Sequence, residues 1–270
     1  GFSMTNKTLN IQSERWQKAK TKYVTDLLSF SLDIGYNPSW QELHIFNSIE
    51  QGGSRTSVVH GEKCLGLSRA IAVLWHLLFH EDSVTFLYAP EIDDVRILPN
   101  KIQYWEDLRS EIYACITLIK NSRLAWLAQS VVIGKNKIYI EGHEKTWNVV
   151  VKAGQLNPCS LAGSFADSFF LWIDYAGWLD DEYAERLMAL MVSVKSRCCL
   201  ISLPNKNTGF FYHTHHQLSV NCGGKWNAIR INAEESPYLS QSELKDSLLQ
   251  YGGRHTAQYK KNILGEFDHG

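Results

Sequence analysis

The feature that most constrains the fold is a glycine-bounded loop between a β-branched segment and a long apolar helix. Residues 56–60 read Thr-Ser-Val-Val-His, the loop runs from Gly61 to Gly66, and an apolar stretch follows from Ser68. This spacing matches the phosphate-binding pattern G-x-x-x-x-G-K-S/T at both glycines and at the serine. Leu67 stands at the lysine position, so the loop lacks the cation that usually contacts phosphate.

Glycine-rich loops bind anions because their backbone N–H groups point inward and the following helix presents its positive end. Lys63 lies inside the loop and is the candidate replacement for the missing lysine, while the Ser68 hydroxyl is a candidate magnesium ligand. A glycine-bounded turn before a core helix, without any ligand, explains the same residues. The loop alone therefore leaves both interpretations open.

The composition excludes several classes of protein. The chain has 270 residues, 44% hydrophobic and 20% charged, which suits one large α/β domain or two modest ones. A formal net charge of −1 provides no global basic field, so any contact with DNA would be a local patch. The cysteines form no C-x-x-C pair, which favours reduced thiols in a cytosolic protein. No uninterrupted apolar run reaches the length of a membrane span.

Alternation of buried strands and helices predicts a mostly parallel α/β sheet. Phe169–Asp174 and Cys198–Ser202 are continuous apolar runs, which are typical of strands buried on both faces. Ser39 and Glu42 predict a capping box at the start of a helix. The other predicted strands cover residues 56–60, 83–90, 131–133, 137–141, 147–152 and 226–232. The other predicted helices cover residues 68–79, 105–122, 181–194 and 240–251, with helical periodicity also within 4–34.

Asp174 lies at the end of a predicted buried strand, where an aspartate can hold magnesium opposite the loop serine. Tyr175 follows it, at the position where hydrolysing P-loop proteins often carry glutamate. Trp40-Gln41, the loop, Asp174-Tyr-Ala and the segment Ile-Ser-Leu-Pro-Asn follow one another in a definite order. This order resembles the ATPase domain of the large terminase subunit of tailed bacteriophages, which packs viral DNA into procapsids. The resemblance covers about residues 38–267.

The resemblance implies an α/β P-loop NTPase fold of the RecA/ASCE type, with a mostly parallel central sheet flanked by helices and a small C-terminal subdomain. ATP and Mg²⁺ are the implied cofactors, and the cytoplasm of the bacterial host cell is the implied location. The implied partners are double-stranded DNA, the portal protein and the small terminase subunit, with a homo-oligomeric ring on the procapsid and no membrane.

The chain is expected to divide into an N-terminal helical segment (1–34), an ATPase-like core (35–218) and a closing subdomain (219–270). Residues 1–3 are interpreted as a cloning remnant. In the resembled family a nuclease domain follows the closing segment.

Matched residue by residue, the family pattern implies roles for four groups. Trp40 and Gln41 match the adenine-recognition motif, and Asp174 matches the Walker B acid. The residues that match Walker A, with the residue after it, are Gly61, Glu62, Lys63, Cys64, Leu65, Gly66, Leu67, Ser68 and Arg69. The residues that match the coupling motif, which relays nucleotide state to movement, are Ser202, Leu203, Pro204 and Asn205. Ser68 and Asp174 are the implied magnesium ligands.

Three residues depart from the family pattern: Leu67 replaces lysine, Tyr175 replaces glutamate, and Ala162 stands where arginine often precedes Gly163. The usual residues stabilise charge or position water in phosphoryl transfer, and an arginine finger contributes about 10³–10⁵ in rate. We therefore expect a DNA-packaging ATPase with impaired or atypical hydrolysis, in which Asp167 or Asp180 could substitute for the glutamate. Two alternatives stay open: a catalytically dead, terminase-like pseudo-ATPase that acts as scaffold or regulator, and a helicase-like P-loop protein.

Other polar clusters are interpreted as structural. His213, His215 and His216 lack a fourth ligand at zinc spacing and are expected on a solvated loop. Arg55 is either near the phosphates or in a surface turn. A solvated face, rather than a DNA-binding patch, is expected for Lys195, Arg197, Lys206, Arg254, Lys260 and Lys261.

Overall fold

A computed structural model describes residues 13–93, 97, 100–157 and 167–268. Its centre is an eight-stranded sheet with the order β3-β4-β5-β2-β6-β7-β1-β8. The strands are β1 (Arg55–His60), β2 (Val84–Ala89), β3 (Val131–Ile133), β4 (Lys137–Ile140), β5 (Asn148–Ala153), β6 (Phe169–Asp174), β7 (Arg197–Ser202) and β8 (Asn227–Ile231). Only the β3–β4 and β4–β5 pairs are antiparallel. The predicted mostly parallel sheet is therefore confirmed.

Helices cover both faces of this sheet. They are α1 (Glu14–Tyr23), α2 (Leu27–Asp33), α3 (Trp40–Ile49), α4 (Ser68–Phe79), α5 (Lys101–Lys120), α6 (Ala125–Ala128), α7 (Asp181–Met188), α8 (Phe210–Thr214), α9 (Gln241–Tyr251) and α10 (Ala257–Tyr259). Helix α4 is the central one, because every residue in it except Arg69 is buried. Within the described ranges, none of the helices is long and apolar enough to span a bilayer.

The continuous apolar runs of the strands reflect packing on both sides of the sheet. In β6, Phe170 and Trp172 face the layer that contains α1–α5, while Leu171 and Ile173 face the layer that contains α7 and α8. The alternation follows from the two-residue period of a strand. A strand buried on both faces therefore needs an apolar residue at every position.

Tryptophan side chains fix the N-terminal helices and the hairpin to α4. The indole N–H of Trp16 donates to the carbonyl oxygen of Leu78 (3.0 Å), and that of Trp147 donates to the carbonyl oxygen of Leu77 (2.7 Å). Buried indole groups need such acceptors, because an unpaired buried donor is costly. These bonds pair the last carbonyl groups of α4, which no further helical turn would satisfy.

Helix boundaries depended on caps that the apolar periodicity did not indicate. The capping box of Ser39 and Glu42 is confirmed. Helix α5 starts four residues earlier than predicted because the Asn100 side chain accepts from the backbone N–H of Gln103 (2.9 Å). The predicted helix 181–194 is too long, since α7 ends at Met188. Within 4–34, Asp26 caps α2 and separates it from α1.

Two predictions about polar residues are wrong. Arg197 is buried rather than on a solvated face, where it donates to the carbonyl oxygen of Ile49 (2.7 Å) and packs over the ring of Trp75. The histidines of residues 213–216 belong to helix α8 and its end rather than to a solvated loop. Burial lowers the pKa of His215 to about 3, and its ring lies 3.0 Å from the Ser57 hydroxyl.

Candidate functional site

A cavity of about 220 Å³ opens at the carboxyl ends of β1, β6 and β7. Ligands of parallel α/β sheets bind at this edge, where the loops after the strands converge. The residues that line it include Leu65 and Gly66 of the loop, Arg69, Glu111, Asp174, Tyr175, Ser202 and Leu203. The loop and Asp174, which are far apart in the chain, therefore face the same space.

Three donors hold the carboxylate of Asp174. Arg69 Nη1 lies 2.8 Å from Oδ2, the Tyr104 hydroxyl lies 2.6 Å from the same oxygen, and the Trp172 indole nitrogen lies 2.9 Å from Oδ1. These donors come from α4, α5 and β6. Asp174 is thus fixed by its own strand and by both helices beside the cavity.

Arg69 bridges two acidic residues. Its Nη2 contacts the carboxylate of Glu111, while Nη1 contacts Asp174. Burial lowers the pKa of Arg69, but the charges of Asp174 and Glu111 outweigh burial and raise it well above its ordinary value. Burial raises the pKa of Glu111, because a guanidinium that already pairs with Asp174 compensates a second carboxylate only partly. The site therefore holds a permanent cation between one carboxylate and an acid of raised pKa.

The end of the loop is bonded to the protein itself. The N–H of Gly66 donates to Glu42 Oε2 (3.3 Å), and the N–H of Leu67 donates to the Tyr36 hydroxyl (3.1 Å). The Tyr238 hydroxyl also contacts Glu42, at 2.5 Å. A carboxylate thus takes the kind of N–H group with which a P-loop binds phosphate. A Cβ at Gly66 would lie 2.4 Å from the Tyr36 oxygen, so this position requires glycine.

The C-terminal segment packs on the same loop. The Lys63 ammonium pairs with Glu243 of α9, and Ser236 donates to the Lys63 carbonyl oxygen (2.7 Å). The Tyr251 hydroxyl donates to Glu62 (2.8 Å). In this conformation Lys63 faces α9 rather than the cavity, so its contact with phosphate stays a prediction.

Comparison with known proteins places this arrangement. No family model matches the chain. The chain is 28% identical over 265 residues to a protein of Enterobacteria phage P7 named "Probable terminase, large subunit". That match covers 95% of this chain and 51% of the phage protein, so the chain spans about half the length of its curated relative.

Among solved structures, the large terminase of HK97 bacteriophage superposes with a TM-score of 0.62 at 12% identity, over 90% of this chain and 55% of that one. The large terminase ATPase domain of Thermus phage P74-26 gives 0.56 at 11% identity, over 89% and 98%. The fold is that of a large terminase ATPase domain. The fold class predicted from the sequence and the resemblance on which it rested are therefore confirmed.

In this terminase fold, the two residues matched to adenine recognition lie outside the cavity lining. Trp40 is 56% exposed and contacts His44 edge-on (5.6 Å). Gln41 is buried and donates from Nε2 to the carbonyl oxygen of Asn232 (2.9 Å). Among the described residues, no partner reaches its Oε1. Their role in adenine recognition stays a prediction.

The segment matched to the coupling motif packs on the turn that follows Asp174. Tyr175 has a left-handed backbone (φ +54°) and leads into the 3₁₀ turn Ala176–Trp178. A Cβ at Gly177 would lie 1.9 Å from Asn205 Oδ1, so the two segments touch there. Ser202 Oγ donates to the carbonyl oxygen of Leu203 (2.7 Å), and Pro204 is buried. Movement of the Asp174 turn would therefore displace this segment.

Other predicted residues have mixed outcomes. Ala162 and Gly163 lie outside the described residues. Cys64 is buried, and burial raises its pKa to about 12, so this thiol is inert. Arg55 begins β1 at the end opposite Gly61 and donates to the carbonyl oxygen of Ser196 (2.9 Å), so it is not near the loop.

Sequence reasoning missed Glu111, Tyr104, Glu42 and Tyr36. One signal for Glu111 was available, because Tyr104, Leu108, Glu111 and Cys115 follow the helical period that defines the inner face of α5. An acid in an otherwise apolar stripe indicates a buried polar contact. No comparable signal exists for Tyr36, whose contact with Tyr238 joins residues 202 positions apart.

Proposed function

We propose that the chain is the ATPase domain of a viral DNA-packaging terminase, which couples ATP binding and hydrolysis to movement of double-stranded DNA into a procapsid. The observation that carries this proposal is the cavity in which the glycine-bounded loop, Arg69 and Asp174 meet in a terminase-type sheet. The large terminase of a thermophilic bacteriophage, with a TM-score of 0.56 and 10% identity over 86% of this chain and 54% of that one, was solved with ADP. That complex supports a nucleotide as the ligand. The portal protein, the small terminase subunit and the host cytoplasm belong to the same proposal.

Arg69 provides the charge that Leu67 cannot. Its guanidinium lines the cavity one residue after the loop serine, and its raised pKa keeps it protonated. Guanidinium groups bind phosphate oxygens in two-point contacts, so Arg69 can stabilise the charge that develops on a transferred phosphoryl group. In this role it replaces the Walker A lysine, and Lys63 is the competing candidate.

Glu111 is the candidate for the water-orienting acid, in place of Tyr175. It lines the cavity, whereas Asp180 caps α7 with its side chain and Asp167 is exposed. A carboxylate of raised pKa is suited to accept a proton from an attacking water. The carboxylate is held beside Arg69, so proton acceptance and charge stabilisation occur within one cluster.

The chemistry of the donors at Ser68 and Asp174 fits Mg²⁺, which prefers oxygen ligands. The Ser68 hydroxyl is buried and lacks a hydrogen-bond partner among the described residues, which suits a metal ligand. Mg²⁺ bound there would neutralise phosphate charge. Asp174 would hold it only after exchanging one of its present donors.

Steady-state phosphate release with procapsids and linear DNA tests the proposal, and calorimetry with an ATP analogue measures binding separately. We expect Arg69→Ala and Asp174→Asn to reduce turnover at least 100-fold, as for the loss of a group that stabilises transition-state charge. Arg186→Ala is the matched control, because Arg186 forms an exposed pair with Glu182 on α7. Turnover that survives Arg69→Ala but is lost in Lys63→Ala would transfer the phosphate role to Lys63. Absence of turnover in the unmodified chain would reject the ATPase function.

A nucleotide-free scaffold is the second candidate function, and two observations favour it. Both oxygens of Asp174 already accept hydrogen bonds, and the N–H groups of Gly66 and Leu67 already have acceptors. A pseudo-ATPase would keep these bonds permanently. Calorimetry that detects no heat with ATP and Mg²⁺, together with procapsid or DNA binding by the same preparation, would favour this function.

A further inference from the structure

A second concave surface lies beside the nucleotide cavity, between the first half of α5 and the strands β4 and β5. It is a groove of about 640 Å³. Four cationic side chains line it, namely Lys101, Arg109, Lys135 and Lys152, and Glu106 is the one acid among the described lining residues. We refer to this surface as the basic groove.

The charge of the basic groove is local, because the whole chain carries a formal net charge of −1. None of the three lysines forms an ion pair with another described residue. Arg109 has only a long contact with Glu106, at 3.7 Å, and both side chains are more than a third exposed. Such exposed pairs contribute little, so these cations are available to an anionic ligand.

The backbone of the groove holds one of these lysines in place. Gly154 has a left-handed backbone (φ +85°), and a Cβ there would lie 2.2 Å from Lys101 Cε. The aliphatic part of Lys101 thus rests on a position that has no side chain. This contact keeps its ammonium at the groove rather than free in solvent, which lowers the entropy lost when an anion binds.

We propose that the basic groove binds the phosphodiester backbone of double-stranded DNA and that α5 transmits its occupancy to the nucleotide cavity. This inference rests on the proposed packaging function, which supplies DNA as the polyanion. Cations from α5, from the β3–β4 turn and from β5 give several separate contacts, as phosphate groups along a duplex require. The half-buried Trp105 and the stems of the lysines contribute an apolar floor against which sugar groups can pack.

Helix α5 joins the groove to the cavity through one residue above all. Tyr104 lines the basic groove, and its hydroxyl donates to Asp174 Oδ2 (2.6 Å). Two turns later, Glu111 of the same helix contacts Arg69. A shift of α5 on DNA binding therefore changes both the donor on Asp174 and the partner of Arg69. By linkage, a nucleotide that rearranges Asp174 changes DNA affinity by the same factor.

Fluorescence anisotropy of a labelled random-sequence duplex, measured without nucleotide, tests the groove. The variant carries Lys101→Gln, Lys135→Gln and Lys152→Gln, and the control carries Lys18→Gln, Lys120→Gln and Lys245→Gln, which change charge equally at exposed positions outside the groove. Each lost phosphate contact makes the slope of log K against log salt about 0.9 less steep. We expect the groove variant to lose about 2.7 of that slope, or about 40-fold in salt sensitivity between 50 and 200 mM salt, and the control to retain it.

Equal slopes for the two variants, or no duplex binding by the unmodified chain, would overturn the proposal. Loss of binding to a polyglutamate peptide in the groove variant, with duplex binding intact, would also overturn it and identify the groove as a protein-binding surface. Because this assay contains no ATP, its result is independent of whether the chain hydrolyses ATP.

Tyr104→Phe tests the transmission separately. This variant keeps every groove cation, so we expect unchanged duplex affinity in the absence of nucleotide. We also expect that DNA no longer alters the affinity for a fluorescent ATP analogue, whereas it does in the unmodified chain. An undiminished effect of DNA in Tyr104→Phe would refute the part of the proposal that concerns α5.

Discussion

Replacing Arg69 by methionine is the sharpest test of the buried charge cluster. The Arg69 side chain is only 15% exposed and donates to Asp174 and to Glu111, whose side chains are 11% and 25% exposed. Methionine fills most of the volume but leaves both acids without their cation. Removing one partner of a buried pair costs about 3–5 kcal/mol, chiefly because the remaining charge is desolvated and uncompensated. We expect the free energy of unfolding of Arg69→Met to fall by that amount.

Urea unfolding followed by tryptophan fluorescence measures this cost, with Arg186→Met as the control. Arg186 pairs with Glu182 on α7, and the two side chains are 54% and 71% exposed, so its loss should cost less than about 0.5 kcal/mol. Adding Glu111→Gln to Arg69→Met removes one stranded acid and should restore part of the stability. The reasoning fails if Arg69→Met costs no more than its control, or if the double variant is no more stable than the single one.

Three further predictions follow from the same contacts. Burial raises the pKa of Glu111 above 4.5, so its contribution to stability is complete below that pH and is lost as the pH rises through the folded-state pKa; urea unfolding should therefore give a larger cost for Glu111→Gln at pH 4 than at pH 7, and the reverse order would contradict it. Gly61→Ala should lower the unfolding free energy by at least about 1–3 kcal/mol, because its Cβ would lie 2.1 Å from a carbonyl oxygen, while Gly52→Ala, with nothing within 4 Å, should stay within about 0.5 kcal/mol. Glu42→Gln weakens the acceptor that holds the Gly66 N–H, so the affinity for a fluorescent ATP analogue should rise about fivefold, and an unchanged Kd would refute competition between Glu42 and phosphate.

The strands and the loop could be predicted because each leaves a signal within a few residues. Phe169–Asp174 must be apolar at every position to pack on both sides of the sheet, and the glycines of the loop recur at a fixed spacing. Both segments lead to the same sheet edge, since parallel strands bring their carboxyl ends together. The meeting of the loop with Asp174 therefore followed from the sequence.

The polar partners inside the site could not be predicted in the same way. Whether Arg69 reaches Asp174 or solvent depends on the position of α5, which the packing of the whole layer determines. Likewise, Lys63 can extend in several directions, and only the position of α9 brings Glu243 next to it. Contacts between side chains from distant segments carry no periodic signal, so spacing alone gave Lys63 a partner that the fold does not supply.

The C-terminal residues that hold the loop also set when the loop can form. Glu62 and Lys63 are joined to Tyr251 and Glu243, partners that are 189 and 180 positions later in the chain. At a synthesis rate of about 5–20 residues per second, the ribosome adds these partners about 10–40 s after the loop itself. During that interval the loop lacks the contacts that shape it, although most of the central sheet has already been made. The phosphate loop is therefore among the first parts of the domain to be translated and among the last to be completed.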